Sequence, residues 1–242
     1  MIDTHAHLLC NLDDGPAEMG ETLEIARLYA AHGWSGVAAT PHIRPGMFDL
    51  TPAAIRRRVE ETRAALQAAG VRLELWPGAE YYYDDALESA AERPEELLTL
   101  ADGGKHLLIE FSTYARPLRL KELVFRLQVR GVTPIMAHPE RYGWATDDLE
   151  SMEELVEAGL RLQGTLSCLG GFWSFGARRA LRKMLDAGLI HLVATDGHDA
   201  KHIGKLLDEA ALQLRHIVGQ ERAELLLSEN PRRVVEGRSL IV

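Results

Sequence analysis

Residues 1–16 read MIDTHAHLLCNLDDGP, with two histidines one residue apart inside the first seven positions. A leading strand ordinarily supplies apolar grip to a core. Side chains alternate along a strand, so Asp3, His5 and His7 share one face, and His5 and His7 can ligate a metal together if that face lines the interior of a barrel. The DDGP turn that follows brings two carboxylates, Asp13 and Asp14, within reach of the same place.

Outward from this stretch, β and α patterns alternate to the end of the chain, the rhythm of a parallel sheet or barrel. Strand candidates lie at 1–8, 34–39, 71–76, 106–111, 132–137, 160–166 and 190–195. Most are short apolar runs, as expected for strands covered on both faces. Helices are predicted at 21–31, 52–69, 118–130, 150–158 and 176–187, several ending at glycine, with one or two more over 204–227. The expected fold is therefore α/β, a seven-stranded barrel-like domain occupying residues 1–242.

Composition narrows the partners. Asp and Glu number 36 against 27 Lys and Arg, which disfavours a phosphate-backbone footprint and so nucleic acid as the main partner. No apolar run approaches the roughly 18 residues that span a bilayer, and the HxH stretch leaves no room for a secretory leader, so a cytoplasmic address with no membrane insertion is expected. The two cysteines, Cys10 and Cys168, are expected to be free thiols.

The ionisable residues then fall into place. Strand two runs into ATPH with His42, strand three into PGAE with Glu80, and strand four into LLIEF with Glu110. Strand five ends in AHPER with His138, and strand seven in ATDGH with Asp196 and His198. Six of the seven strands thus bring an imidazole or carboxylate to their carboxyl ends, where parallel barrels build active sites. Each group alone has a bland reading: a polar edge, a buried ion pair, a satisfied turn. Together they do not, because clustered charges at a barrel mouth cost several kcal/mol each unless divalent cations neutralise them. His106 and His191, at the amino ends of their strands, and His32, His202 and His216, on or near helices, are left to structural roles.

The ordered set IDTHAHLL, DDGP, TPH, GMF, GAEYYY, LLIEFS, TPIMAHPER, ATDGH and ENPRRVV resembles the polymerase and histidinol phosphatase (PHP) superfamily. Within it, the chain is similar to the bacterial metal-dependent protein-tyrosine phosphatases of the CpsB/YwqE type. The resemblance covers nearly the whole chain. It implies a distorted (β/α)7 TIM-like barrel holding up to three divalent metal ions, often manganese, with iron or zinc as alternatives. It assigns His5, His7, Glu80 and Asp196 to one metal. Glu80, Glu110 and His138 go to the second, and Asp14, His42 and His198 to the third. It further implies a hydroxide bridging two metals that attacks phosphorus, and as substrate the phosphotyrosine-bearing tail of a bacterial tyrosine kinase in capsule or exopolysaccharide control.

Arg141, three residues after His138, is the candidate for phosphate contact and transition-state charge; its alternative is a surface ion pair with Glu140. Lys201 and His202 stand where relatives often carry an arginine. Phe172, Trp173 and Phe175 are expected to pack rather than to wall a tyrosyl ring. Thiol chemistry is excluded on spacing, since the sixth residue after Cys10 is Pro16 and after Cys168 is Ser174, where an arginine is needed. The remaining rivals are a histidinol-phosphate or other small phosphomonoester phosphatase, a TatD-like metallonuclease, and a noncatalytic metal-stabilised regulatory domain.

Overall fold

A computed structural model describes residues 1–171 and 173–242, the side chain of Asp208 excepted. Among the described residues, nine strands form two all-parallel sheets. β1 (Ile2–Ala6), β2 (Gly36–Ala39) and β4 (Glu74–Pro77) make one; β3 (His42–Ile43), β5 (Glu80–Tyr82), β6 (His106–Glu110), β7 (Thr133–Ala137), β8 (Arg161–Thr165) and β9 (Leu192–Ala194) make the other, in that order. Two of the predicted strands, 34–39 and 71–76, are each followed after a break by a second short strand, β3 and β5, that was not predicted. Pro41 has no N–H to give and makes the first break, at Thr40-Pro41, while Gly78-Ala79 makes the other. β2 and β3 are thus two halves of one strand position, as are β4 and β5, which leaves seven positions around the ring. The split rotates His42 and Glu80 onto paired positions of the second sheet, where they stand in register with each other.

The ring closes between the last strand and the first. Ala6 bridges Gly197, the Asp196 N–H donates to the His5 carbonyl at 2.9 Å, and the His7 N–H donates to the Gly197 carbonyl at 2.9 Å. Asp3, expected to face the metal site beside His5 and His7, instead fastens this seam. Its carboxylate accepts from the backbone N–H groups of His5 and Thr195 at 3.1 and 3.2 Å and from the hydroxyls of Thr195 and Tyr29 at 2.5 and 2.6 Å. The residue is fully buried, and so many donors are what make a carboxylate tolerable there.

Helices cover the outside because their apolar residues recur at helical spacing. In Pro52–Ala68, Ile55, Val59, Thr62 and Leu66 are buried; the Thr51 side chain caps the helix by accepting from the Ala54 N–H, and proline occupies its first turn. Met19–Ala31 buries Thr22, Ile25, Ala26 and Tyr29 in the same way. With every strand parallel, all carboxyl ends emerge at one rim, and the chemistry gathers there.

The opposite end is packed for stability. Burial, with Lys105 adding to it, pushes the His106 imidazole down to about 4, and burial pushes His191 to about 3. Both folded values lie below the unfolded value of 6.5, so the unfolded chain binds more protons between pH 6.5 and 4. Stability is therefore complete above pH 6.5 and is lost as the pH falls through that window. For His106 the separation is worth up to about 3 kcal/mol. His106→Leu is expected to lose about 2–3 kcal/mol less unfolding free energy than the parent between pH 7 and pH 4, measured by urea denaturation at each pH; an identical pH dependence would contradict this.

Candidate metal centre

Glu80 stands at the centre of the rim, with no solvent exposure. Its Oε2 lies 3.1 Å from His5 Nε2, 3.4 Å from His7 Nε2 and 3.1 Å from His42 Nδ1, while Oε1 accepts from His138 Nε2 at 2.9 Å. Asp196 Oδ1 joins the group at 3.2 Å from His5 Nε2 and 3.3 Å from His7 Nε2. Donor atoms bound to one first-row divalent ion at about 2.0–2.2 Å stand roughly 3–3.5 Å from one another. The set His5, His7, Glu80 and Asp196 has that spacing, and its atoms gather as a group able to hold an ion.

Two further groups adjoin it. Asp14 Oδ1 lies 3.4 Å from His198 Nε2 and 3.8 Å from His42 Nε2, so Asp14, His42 and His198 come together, with His7 beside them. Glu80 and Glu110 come together with His42, whose Nδ1 is 3.8 Å from Glu110 Oε2. His138 was expected to complete this pair. It reaches Glu80 by the oxygen turned away from His42, and His42 takes its place beside Glu110.

Without a cation the central imidazoles are drawn toward their charged form: burial lowers His5 and His7, but Glu80 and Asp196 outweigh it at His5, and Asp13, Asp196 and Glu80 outweigh it at His7, whereas the outer imidazoles stay neutral. Burial, reinforced by Arg141, pushes His138 down to about 4, and burial lowers His42, so both imidazoles keep a free lone pair at neutral pH. The bond to His198 draws Asp14 down to about 2. Burial tends to protonate Asp196, but Arg141 and His5 hold it well below the usual carboxylate range. Glu110 shows the opposite: burial and the Glu80 charge push it up to about 7. His42 Nδ1, Glu80 Oε2 and Glu110 Oε2 are all buried without a hydrogen bond of proper geometry, although they face one another. Lone pairs that converge without sharing protons are what a cation requires, and a cation would remove the repulsion that raises Glu110.

Asp13, offered with Asp14 by the DDGP turn, sets the orientation together with Gln163 and Tyr142, which the sequence did not single out. The Asp13 carboxylate accepts from His7 Nδ1 at 2.6 Å and from the His42 and Gly15 N–H groups at 3.0 and 3.1 Å, turning His7 Nε2 toward Glu80. Of the two aspartates in the DDGP turn, Asp14 therefore faces the cluster while Asp13 braces it. Glycine is required at position 15, because a Cβ there would stand 2.4 Å from the His7 carbonyl. Gln163, on β8, accepts from His5 Nδ1 at 2.8 Å and donates to the Thr4 hydroxyl at 2.9 Å, so His5 presents Nε2. The Tyr142 hydroxyl meets His138 Nδ1 at 3.0 Å. His138 and Asp196 both adopt left-handed backbone, φ 35° and 54°, where each strand breaks into its loop.

Arg141 is not at the surface. Its Nη2 donates to Asp196 Oδ2 at 2.5 Å and its guanidinium carbon lies 3.7 Å over the Trp173 ring. Its Nε is buried with no hydrogen-bond partner. Glu140, the alternative partner, is buried and accepts from the Thr165 N–H at 2.9 Å.

Residues 1–236 match the family described as capsular polysaccharide synthesis, CpsB/CapC. The chain belongs to that family. It is 31% identical over 241 residues to the tyrosine-protein phosphatase YwqE of Bacillus subtilis, covering 99% of this chain and 93% of that protein. It is 28% identical over 242 residues to the tyrosine-protein phosphatase CpsB of Streptococcus pneumoniae, covering 97% and 98%. A crystal structure from work on YwqE and CpsB, described there as unique metal-dependent tyrosine phosphatases, superposes with a TM-score of 0.91 at 32% identity, covering 100% of this chain and 96% of that one. A histidinol phosphate phosphatase from Lactococcus lactis shares the fold at a TM-score of 0.56 and 12% identity, covering 93% and 94%. The sequence expectation of a TIM-like barrel of this family therefore holds.

The remaining candidates separate cleanly. Both cysteines are buried and unpaired, and burial pushes the Cys168 thiol up, so it carries no thiolate at neutral pH. His202 Nδ1 is bonded to Asp199 Oδ2 at 2.5 Å. The expected packing of the aromatic segment fails in part: Phe175 is 83% exposed and Trp173 46%, while Phe172 lies outside the described residues. No helix among the described residues is long and apolar enough to cross a membrane.

If Gln163 fixes the His5 tautomer, Gln163→Ala should weaken divalent-ion affinity by about 10- to 100-fold. Titration calorimetry with manganese checks this, and parental affinity would show that Gln163 does not orient the ligand.

Proposed function

We propose that this protein is a metal-dependent protein-tyrosine phosphatase, a phosphoric monoester hydrolase whose catalytic unit is one domain spanning residues 1–242. The observation that carries the reading is the meeting of His5, His7, Glu80 and Asp196 donor atoms at 3.1–3.4 Å in a chain of the CpsB/CapC family. His5, His7, Glu80 and Asp196 would hold one ion. Glu80 and Glu110, with His138 or His42, would hold a second, and Asp14, His42 and His198 a third. His42 faces both outer sets, Nδ1 toward Glu110 and Nε2 toward Asp14, so either nitrogen commits it to one of them. Mixed imidazole and carboxylate ligation suits manganese, with iron or zinc as alternatives.

Divalent cations in these sets supply Lewis acidity and activation of water. The chain's own residues do the rest. Arg141, held against Asp196 and flattened on Trp173, presents a planar guanidinium beside the cluster, where it would donate to a phosphoryl oxygen as charge builds there. Asp13, Gln163 and Tyr142 keep the imidazoles turned inward without touching substrate. The partner that fits is a phosphotyrosine-bearing tail of a bacterial tyrosine kinase controlling capsule or exopolysaccharide, which would place the protein in the cytoplasm. The names of the tyrosine phosphatase relatives support this reading over a small-molecule phosphatase, a nuclease or a noncatalytic domain.

Metal ligand and substrate contact act on different parts of the rate. Asp196→Ala should lose bound metal and turnover together. Arg141→Ala should keep its metal and lose about 30- to 1,000-fold in kcat/KM toward a phosphotyrosine peptide, about 2–4 kcal/mol, with partial recovery in Arg141→Lys. Metal analysis beside steady-state kinetics decides it: Arg141→Ala hydrolysing at the parental rate, or losing metal as Asp196→Ala does, refutes the assignment. The double variant Cys10→Ser, Cys168→Ser should hydrolyse the peptide as the parent does, whereas a loss of orders of magnitude in folded protein would reopen a thiol mechanism.

A further inference from the structure

Beside the cluster, next to Asp196 and His198, lies a cavity of about 210 Å³. Trp173, Gly197, Ile203 and Leu206 form its apolar side, and Ser167, Thr195, Asp199 and His202 add to the polar side. An apolar cavity of about 150 Å³ accommodates a benzene ring, so the space admits one aromatic ring with its first substituent atoms and little more. Its apolar wall comes from the helix Ala200–Val218, and Ile203 comes close only because position 197 is glycine: a Cβ there would stand 2.0 Å from Ile203 Cδ1.

Trp173 is the unusual member. A large aromatic left 46% exposed at a charged rim has not been placed there by burial. It is held by two polar contacts instead: its indole N–H donates to the Ser167 hydroxyl at 2.9 Å, and the Arg141 guanidinium lies over its ring at 3.7 Å. The same arginine is tied to Asp196, which also borders the cavity. Arg141 and the cavity thus share Trp173 and Asp196 as neighbours, so a phosphoryl group bound at Arg141 would have a space large enough for one ring close by.

We propose that this cavity, formed by Trp173, Ile203 and Leu206, is the subsite for the aryl leaving group. The inference rests on the phosphatase reading and extends it: the ring, rather than the peptide around it, is recognised here, and the subsite selects aryl over alkyl phosphate esters. Trp173 serves two parts of the substrate, stacking on the arginine that holds the phosphate and walling the ring.

Leu206→Phe puts bulk into the cavity without altering any residue at the phosphate. It should raise KM for a phosphotyrosine peptide about 10-fold or more, while the inhibition constant of inorganic phosphate and the manganese content stay unchanged. A folded Leu206→Phe with parental KM, or with phosphate inhibition weakened as much as KM, overturns the proposal. Titration of the manganese-loaded protein with 4-methylphenol needs neither that variant nor turnover. It should change tryptophan fluorescence saturably in the parent, and the change should be lost in Trp173→Phe, which keeps an aromatic wall but removes the reporter. Absence of a saturable change, or its persistence in Trp173→Phe, overturns the proposal. A parent that binds 4-methylphenol at Trp173 yet hydrolyses no phosphate ester would refute the phosphatase reading while upholding an aryl site.

Discussion

Glu80 is the residue on which the rest of the structure turns. A carboxylate with no access to water faces four imidazoles, those of His5, His7, His42 and His138, from 2.9 to 3.4 Å away. Burial alone would drive such a group to its neutral form, but the surrounding imidazoles keep it well below the ordinary range. That charge then reaches outward. Together with burial, the larger cause, it raises Glu110, which also faces the site, to about 7. A site that gathers carboxylates this tightly is out of electrostatic balance unless cations enter it, which is why the arrangement suits metal binding better than structural ion pairing.

Holding such a centre demands a rigid frame. The seam between β1 and β9 supplies it through Asp3, which ties Tyr29, Thr195 and the His5 backbone into one buried hydrogen-bonded unit. Asp13 and Gln163 then fix which imidazole nitrogen faces inward, one from the turn after β1 and the other from β8. The frame and the orienting residues are separate layers. Loss of the first would open the ring, while loss of the second would leave the ring intact and the ligands turning.

Arg141 and Trp173 join the metal centre to the surface. The guanidinium is shared between a ligand carboxylate and an indole, so a change at either partner shifts its position. On the proposed reading, phosphate recognition and ring recognition would be coupled through this pair of side chains.

Much of this was legible in the order of residues. Alternation of β and α patterns, glycines after helices and ionisable groups at strand ends determined a parallel ring with its chemistry at one rim, because periodicity and local turn chemistry are encoded residue by residue. The candidate ligands His5, His7, Glu80 and Asp196 were readable for the same reason. Tertiary structure alone decided the rest. The two split strands depended on how Pro41 and Gly78 sit against neighbouring strands. The role of Asp3 depended on Thr195 and Tyr29, which are distant in sequence, and that of Gln163 on His5, 158 residues away. His42 beside Glu110 and Trp173 beneath Arg141 are likewise contacts between segments that share no local pattern. A strand's period tells which face a side chain occupies; which distant group it meets there is settled only when the ring closes and burial leaves each polar atom a single place to find its partner.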